Sequence, residues 1–431
     1  MSGIEAAEGG DGRGSGRLLA GNRDYLLLWS GGAVSALGTQ MSGVAYPLVV
    51  LALTGSAALA GVVGSVALLA GLVCRLPAGA LADHFDRRRV MILADVVRAV
   101  ALGSIAIAVA FGVLSVWQVV VTALVDKSFG EPFRPASTAA LRRVVRPEEM
   151  PAAVSRLEAR SYAAGAAGPP LGGLLFGLAT LAPFAADAVS YVYSLVSTFF
   201  VRTSMAVAPS PAPERIVTRL AGGLRWIWSE RLIRDILVSA AGINAVFGAP
   251  GLAVIVDTRD HGATSTEIGV MLGIAGAAGF VGATLATRLA KSAHPSLVVL
   301  GIFWVTAALI PLMAIDANPY ILGALLGAAT LLAPAANTIL ISRVIVVTPD
   351  NLQGRVDAAG NFMTGALRPL APLATGLLLT AIGGPGTLIA IAVAMGAIAL
   401  AVTVSSRMRS IPPVAQSPPP AELRPSPTAP D

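Results

Sequence analysis

A chain of 431 residues with 55% hydrophobic and only 13% charged side chains is no soluble globular domain, since those carry about 25% charge. Its net charge of +6 is no nucleic-acid footprint either, because the basic residues fall on one side of a succession of apolar runs. On that side stand Arg13, Arg17, Arg23, Arg87 to Arg89, Arg142, Arg143, Arg146, the arginines from Arg202 to Arg234, Arg288, Lys291, Arg343, Arg355, Arg407 and Arg409; only Arg259 lies in a loop on the other. The bias predicts a multi-pass protein of the cell (plasma) membrane with both termini cytoplasmic. The single Cys74 allows no intramolecular disulfide.

Residues 1–20 read as a disordered cytoplasmic tail without the apolar core of a signal peptide. Twelve apolar runs follow, at 24–53, 57–82, 90–112, 115–138, 151–178, 182–201, 232–256, 266–287, 295–315, 319–342, 357–381 and 385–405, each near the roughly 20 residues that cross a bilayer as a helix. The fold class predicted is an all-α membrane protein of 12 transmembrane helices. Residues 21–201 form an N-terminal six-helix bundle and 232–406 a C-terminal one, joined by the linker 202–231; a Pro-rich tail occupies 407–431. In the linker, Pro-rich 208–213 precedes an amphipathic helix with Leu220, Leu224, Ile227 and Trp228 on one face, expected to lie on the membrane surface. Pro135 and Pro334, Pro147 and Pro349, and Pro169 and Pro369 recur about 200 residues apart, as does Gly79 with Gly282, which suggests an internal repeat.

The second and third runs are separated by a charged hinge. Gly79 permits close backbone approach, Asp83 stands near the start of the next helix within reach of Arg87 and Arg88, and Asp95 and Arg98 sit one turn apart inside it, a spacing that lets each neutralise the other. This stretch resembles the signature loop between spans two and three of the major facilitator superfamily, matching at Gly79, Leu81, Ala82, Asp83, Arg87 and Arg88, with His84 for the usual Arg and Asp86 for the usual Gly. The form with Asp86, a triple Arg and the later Asp95 and Arg98 resembles the branch that holds macrolide efflux pumps and the enterobactin exporter. The resemblance implies two parallel-repeat six-helix bundles with the substrate site between them near the midplane, and a hinge in which Asp83, Arg87 and Arg88 gate the conformational change.

Ionisable residues inside spans are costly and usually functional. In span four Lys127, Glu131 and Arg134 share a helical face and are expected to form a chain of ion pairs; Asp126 points elsewhere without an evident partner, unless Arg75 or Arg98 neutralises it. Asp126 and Glu131 are candidates for proton coupling, and Asp187, in the Phe184–Tyr191 segment of span six, is a third. Span five carries Gly165, Gly168, Pro169, Pro170, Gly172 and Gly173, small residues for close packing beside prolines that bend a helix. This is similar to the Gly-Pro motif of antiporter members of the superfamily. The resemblance further implies that spans one, four, seven and ten line the cavity; their polar residues are Gln40, the Lys127–Glu131 pair, Asn244 and Asn337, with Tyr46 and Phe247 as aromatic wall.

No lysine stands in a Gly-Lys-Ser/Thr loop, so a Walker-type ATP site is excluded. The three histidines have no zinc spacing and no nucleophile elbow occurs, so no cofactor, metal or enzymatic activity is expected. The expected activity is secondary active, proton-coupled efflux of a hydrophobic or amphipathic small molecule by alternating access. The partners expected are the lipid bilayer, the small-molecule substrate and protons as coupling ion, with the protein a monomer. An uptake carrier and a non-transporting sensor or assembly protein are the rival readings.

Overall fold

The computed structural model describes residues 21–205, 216–292 and 294–409. The expected tails at 1–20 and beyond 409 and the Pro-rich 208–213 lie outside the described residues, as do the side chains of Asp83 and Lys291.

Helix α1 (Arg23–Thr54) starts where the Asn22 side chain accepts from the Tyr25 N–H at 3.0 Å, and ends at Gly55, whose φ of 64° is the left-handed cap that favours glycine. Helix α2 (Ala57–His84) begins at once, capped by Ser56, so two residues turn the chain through 180°. Helix α3 (Arg87–Ala110) is capped by Asp86, which accepts from the N–H groups of Arg88 and Arg89. Ser115 caps α4 (Val116–Val144), and α5 (Met150–Leu178) and α6 (Ala182–Phe199) complete the first six crossings.

After the linker helix α7 (Ile216–Ser229), the second six are more broken. Span seven is α8 (Arg231–Phe247) and α9 (Ala249–Asp260), interrupted at Gly248 just ahead of Pro250. Then come α10 (Ser265–Ser292), α11 (Pro295–Leu309) with its 3-10 extension Pro311–Ala314, and α12 (Pro319–Thr330) followed by α13 (Ala333–Val347), which break ahead of Pro334. Helix α14 (Gln353–Gly365) opens span eleven, and α15 (Leu370–Val404) finishes it and then returns as span twelve, reversing at Gly383 where φ is 71°. The short α16 (Ser406–Arg409) ends the described chain.

Eight segments are long and apolar enough to cross a membrane, the last of them, Asp350–Val404, being the two spans joined at Gly383. Helices α4, α5 and α6 are the remaining three crossings; α4 and α6 carry the buried carboxylates Asp126 and Asp187. Large apolar side chains face outward, among them Val100 at 68% exposure and Leu400 at 57%. In water that surface would be a liability, and in lipid it is the solvent-facing side. The repeat is visible in detail: Pro147 and Pro349 each introduce a 3-10 turn directly before α5 and α14.

The linker helix departs from its expected pose. It docks on α14, with Gly223 against the Arg355 carbonyl and Arg219 donating to the Gly354 carbonyl at 3.1 Å. Ile227 is fully buried there with Leu220, Leu224 and Trp226 around it, while Trp228 is 56% exposed, so Trp226 replaces Trp228 on the packed face.

The two bundles meet at the end opposite the basic loops. A Cβ on Gly376 would lie 2.6 Å from the Ala57 carbonyl, and one on Gly61 would strike the Pro372 carbonyl. On the other flank, Gly269 of α10 would meet the Pro169 carbonyl at 2.6 Å, and Gly173 of α5 would strike the Ser265 carbonyl. Helix backbones approach this closely only where Cβ atoms are absent. Arg259 adds a hydrogen bond to the Leu48 carbonyl at 3.0 Å across the same end.

Candidate functional site

Helix α6 presents a polar row, Asp187, Ser190, Tyr191 and Ser194, all buried, toward α1 and α3. The spacing of three and four residues keeps the row on one face. Gly38 of α1 makes room for it, since any side chain there would collide with Ser190 and the Asp187 carboxylate. Ser42 donates to Asp187 Oδ2 at 2.5 Å and Ser190 donates to Oδ1 at 3.1 Å. Both hydrogen-bond donors to the Asp187 carboxylate among the described residues are neutral hydroxyls.

Asp126 lies beside it on α4 with a cation. Arg98 Nε donates to Asp126 Oδ1 at 2.8 Å, and the Tyr191 hydroxyl donates to the same oxygen at 2.9 Å. Arg98 also donates to the Tyr191 hydroxyl, and its guanidinium sits 4.0 Å from the centre of that ring. Lys127 Nζ approaches Asp126 Oδ2 at 3.3 Å as an ion pair without hydrogen-bond alignment. The core of the first bundle therefore holds Asp126 and Asp187 side by side, the first hydrogen-bonded by Arg98 and the second by hydroxyls.

Three expectations about these charges need correction. Arg98 does not close on Asp95 along its own helix, because Asp126, Thr39 and Tyr191 all lie within its reach on other helices. Asp126 is not partnerless; Arg98 neutralises it, whereas Arg75 does not. The chain Lys127–Glu131–Arg134 does not form: Glu131 is held by two hydrogen bonds from Arg75 of α2, at 2.9 and 3.0 Å, Lys127 turns to Asp126, and Arg134 is exposed.

A cavity of about 630 Å³ opens toward the basic end. It is lined by α8, α13 and α14, with Arg75 reaching in from α2. Asn244 and Asn337 face it as expected, together with Asp357, Asn361, Thr364 and Arg368. Gln40, Tyr46 and Phe247 are not in its wall. Gln40 packs against Gly168, and Tyr46, 7% exposed, stands edge-on to Phe184 at 5.5 Å inside the first bundle. Arg75, Arg368 and Asp357 were missed as wall residues, and Tyr191, Ser42 and Thr39 as network members. The recurrence of polar residues every three or four positions in α6 was the available signal.

At the hinge, Asp86 caps α3. Arg88 ties the start of α3 to the chain after α6, donating to the Val201 carbonyl and, at 3.3 Å, to that of Thr203. Gly79 has open space where its Cβ would stand, so close packing is not its role in this conformation. In α5 the small residues serve two neighbours: Gly165, Gly168 and Gly172 turn toward α1, a Cβ on Gly172 falling 2.5 Å from the Met41 carbonyl, while Gly173 admits α10, whose Gly269 and Gly276 approach the carbonyls of Pro169 and Gly165. Among the described residues no cluster of side chains suits a metal ion.

Comparison with known proteins follows this geometry closely. The family model described as Major Facilitator Superfamily matches residues 28–372. The multidrug efflux pump Tap of Mycobacterium tuberculosis is 28% identical over 399 residues, covering 85% of this chain and 90% of that protein. Tap of Mycolicibacterium fortuitum is 27% identical over 409 residues, covering 90% and 96%. Among solved structures, the nucleoside transporter NupG superposes with a TM-score of 0.66 at 14% identity, covering 88% of this chain and 98% of that one. A bacterial homologue of the lysosomal transporter Spinster, inward-facing and unoccupied, gives 0.65 at 13% identity, covering 93% and 97%. The chain belongs to the Major Facilitator Superfamily, and is a multi-pass membrane transporter rather than an enzyme.

Proposed function

We propose that this protein is a proton-coupled exporter of amphipathic organic compounds, working by alternating access across the plasma membrane. The similarity to multidrug efflux pumps supports export of such cargo. The observation that carries the coupling is the pair of carboxylates, Asp126 and Asp187, buried together with one buried arginine between them. Ionising both sets two negative charges against a single buried guanidinium, and an uncompensated buried charge is costly.

Asp187 is the member that gains and loses the proton. When it is protonated, Arg98 pairs with Asp126, the arrangement that the Arg98–Asp126 hydrogen bond supports. When it is ionised, the guanidinium has two anions to serve, and the shared Tyr191 and Thr39 contacts move with it. That rearrangement bears on α1, α3, α4 and α6 at once, so a proton at one atom biases the packing of a whole bundle.

With the basic loops cytoplasmic, the structure is the inward-facing form. Cargo enters the cavity beside Asn244, Asn337 and Asp357, and the glycine contacts at the opposite end are the shut outer gate. The protein as a monomer holds every group this scheme uses. The test is ethidium transport in proteoliposomes under an imposed pH gradient. Wild-type protein is expected to move the dye against its concentration gradient, and Asp187→Asn to lose at least about tenfold of that rate while still exchanging dye at equal pH. Gradient-driven movement at the wild-type rate in Asp187→Asn would overturn the assignment.

A further inference from the structure

The first bundle buries three carboxylates completely, Asp95, Asp126 and Asp187, against one fully embedded cation, Arg98. Lys127 reaches Asp126 from a side chain that stays 34% exposed. Asp126 takes the cation, and Asp187 takes two hydroxyl donors at 2.5 and 3.1 Å. Asp95 takes nothing: neither of its carboxylate oxygens has a hydrogen-bond partner. Across the α3–α6 contact, the Ser194 hydroxyl, 1% exposed, is equally without one.

Ser194 is the polar neighbour that acts on Asp95 from α6, its hydroxyl on the side of that carboxylate but outside close hydrogen-bond distance in this state. On its own helix the charge facing Asp95 is Arg98, whose Nε and Nη2 are committed to Asp126, Thr39 and Tyr191. No other charged group acts on Asp95 among the described residues. An ionised carboxylate in that position leaves buried acceptors empty, at a cost far above that of any neutral polar group. The Ser194 hydroxyl can donate to one oxygen of a carboxylate, but one neutral donor leaves the charge uncompensated, whereas a protonated carboxyl needs no counter-charge and can itself donate to Ser194.

We infer that Asp95 is a second proton-carrying site of the transporter, loaded in the inward-facing form and hydrogen-bonded to Ser194. Ser190 and Ser194 stand one turn apart on α6, the first on Asp187 and the second on Asp95, so the same hydroxyl row joins the two sites. The inference extends the proposed proton coupling, and its test needs no transport.

Infrared difference spectra of the purified full-length protein, recorded as the pH is raised from neutral, separate protonated carboxyls from carboxylates. Wild type is expected to show a protonated-carboxyl band that disappears reversibly, that is absent in Asp95→Asn, and that shifts to the frequency of a carboxyl without a hydrogen bond in Ser194→Ala. Spectra of both variants superimposable on wild type in that region would overturn the inference, as would a band that persists until the protein unfolds. Should Asp95→Asn fail to fold, the shift or constancy of the band in Ser194→Ala decides alone. Normal gradient-driven efflux by Asp187→Asn would refute the coupling reading above and leave these spectra to judge Asp95.

Discussion

Arg98 is the residue on which the buried network turns, since Asp126, Tyr191 and Thr39 all depend on its guanidinium. Removing one partner of a buried ion pair leaves the other uncompensated, whereas replacing both by apolar residues is often neutral. Arg98→Leu is therefore expected to destabilise the protein by about 3–5 kcal/mol. Arg98→Leu combined with Asp126→Leu should regain most of that stability without regaining transport. Thermal unfolding followed by size-exclusion fluorescence measures the first, and ethidium efflux the second; equal stability of the single and double variants would count against the pair. The chemistry of Arg98 and Asp126 was legible in the sequence as ionisable residues inside apolar runs, but their pairing was not. Helical periodicity ranks partners along one helix, so it favoured Asp95, three residues away, over Asp126 on the neighbouring helix. Contacts between helices are fixed by packing that no single run records.

The element that positions the closure is α5. Its glycines let α1 settle on one face and α10 on another, so one helix belongs to both the bundle core and the interface between bundles. Gly173→Val should push α10 away at the Ser265 carbonyl and open the outer end, while Gly79→Ala, at a position with open space, should leave it shut. Cysteine cross-linking between residues 176 and 266 reports the difference: the yield is expected to fall several-fold in Gly173→Val and to hold in Gly79→Ala. An unchanged yield in Gly173→Val would show that these helices part elsewhere. The lengths and ends of the helices were legible because caps and apolar runs are local; Asn22, Ser56, Gly55 and Gly383 mark boundaries at the residue. The pose of α7 was not, because Trp226 and Trp228 lie two positions apart and only contact with α14 decides which of them turns inward.

At the scale of the whole molecule, the sequence displayed its twelve crossings, its repeat and its membership of a superfamily through the hinge at Gly79–Arg98 and the prolines that recur in both halves. Of the residues it offered for the cavity, Gln40, Tyr46 and Phe247 lie outside the wall in this state, which includes Arg75, Arg368 and Asp357. Polarity within a span is visible in a sequence; the face that turns toward a cleft between two bundles depends on which state the bundles hold. The cavity in this state draws mainly on the second bundle, while the groups proposed to titrate lie in the first. In the proposed scheme coupling therefore passes through movement of one bundle against the other, and not through contact of cargo with Asp187. It follows that Arg368→Gln should alter which dyes compete for efflux while leaving the pH dependence of transport in place, measured by inhibition of ethidium efflux at several pH values. A pH profile displaced with the dye preference would mean that cargo and proton share one site.

The most direct test of this account is the distance between spin labels on the two bundles at both ends, residues 179 and 263 at the glycine-packed end and residues 148 and 351 at the basic end, in membranes of controlled pH. The account predicts reciprocal change: as pH moves through the titration of Asp187, one pair shortens while the other lengthens, and Asp187→Asn holds both pairs at the distances of the protonated state. Two pairs that change in the same sense, or that respond to pH unchanged in Asp187→Asn, would contradict it.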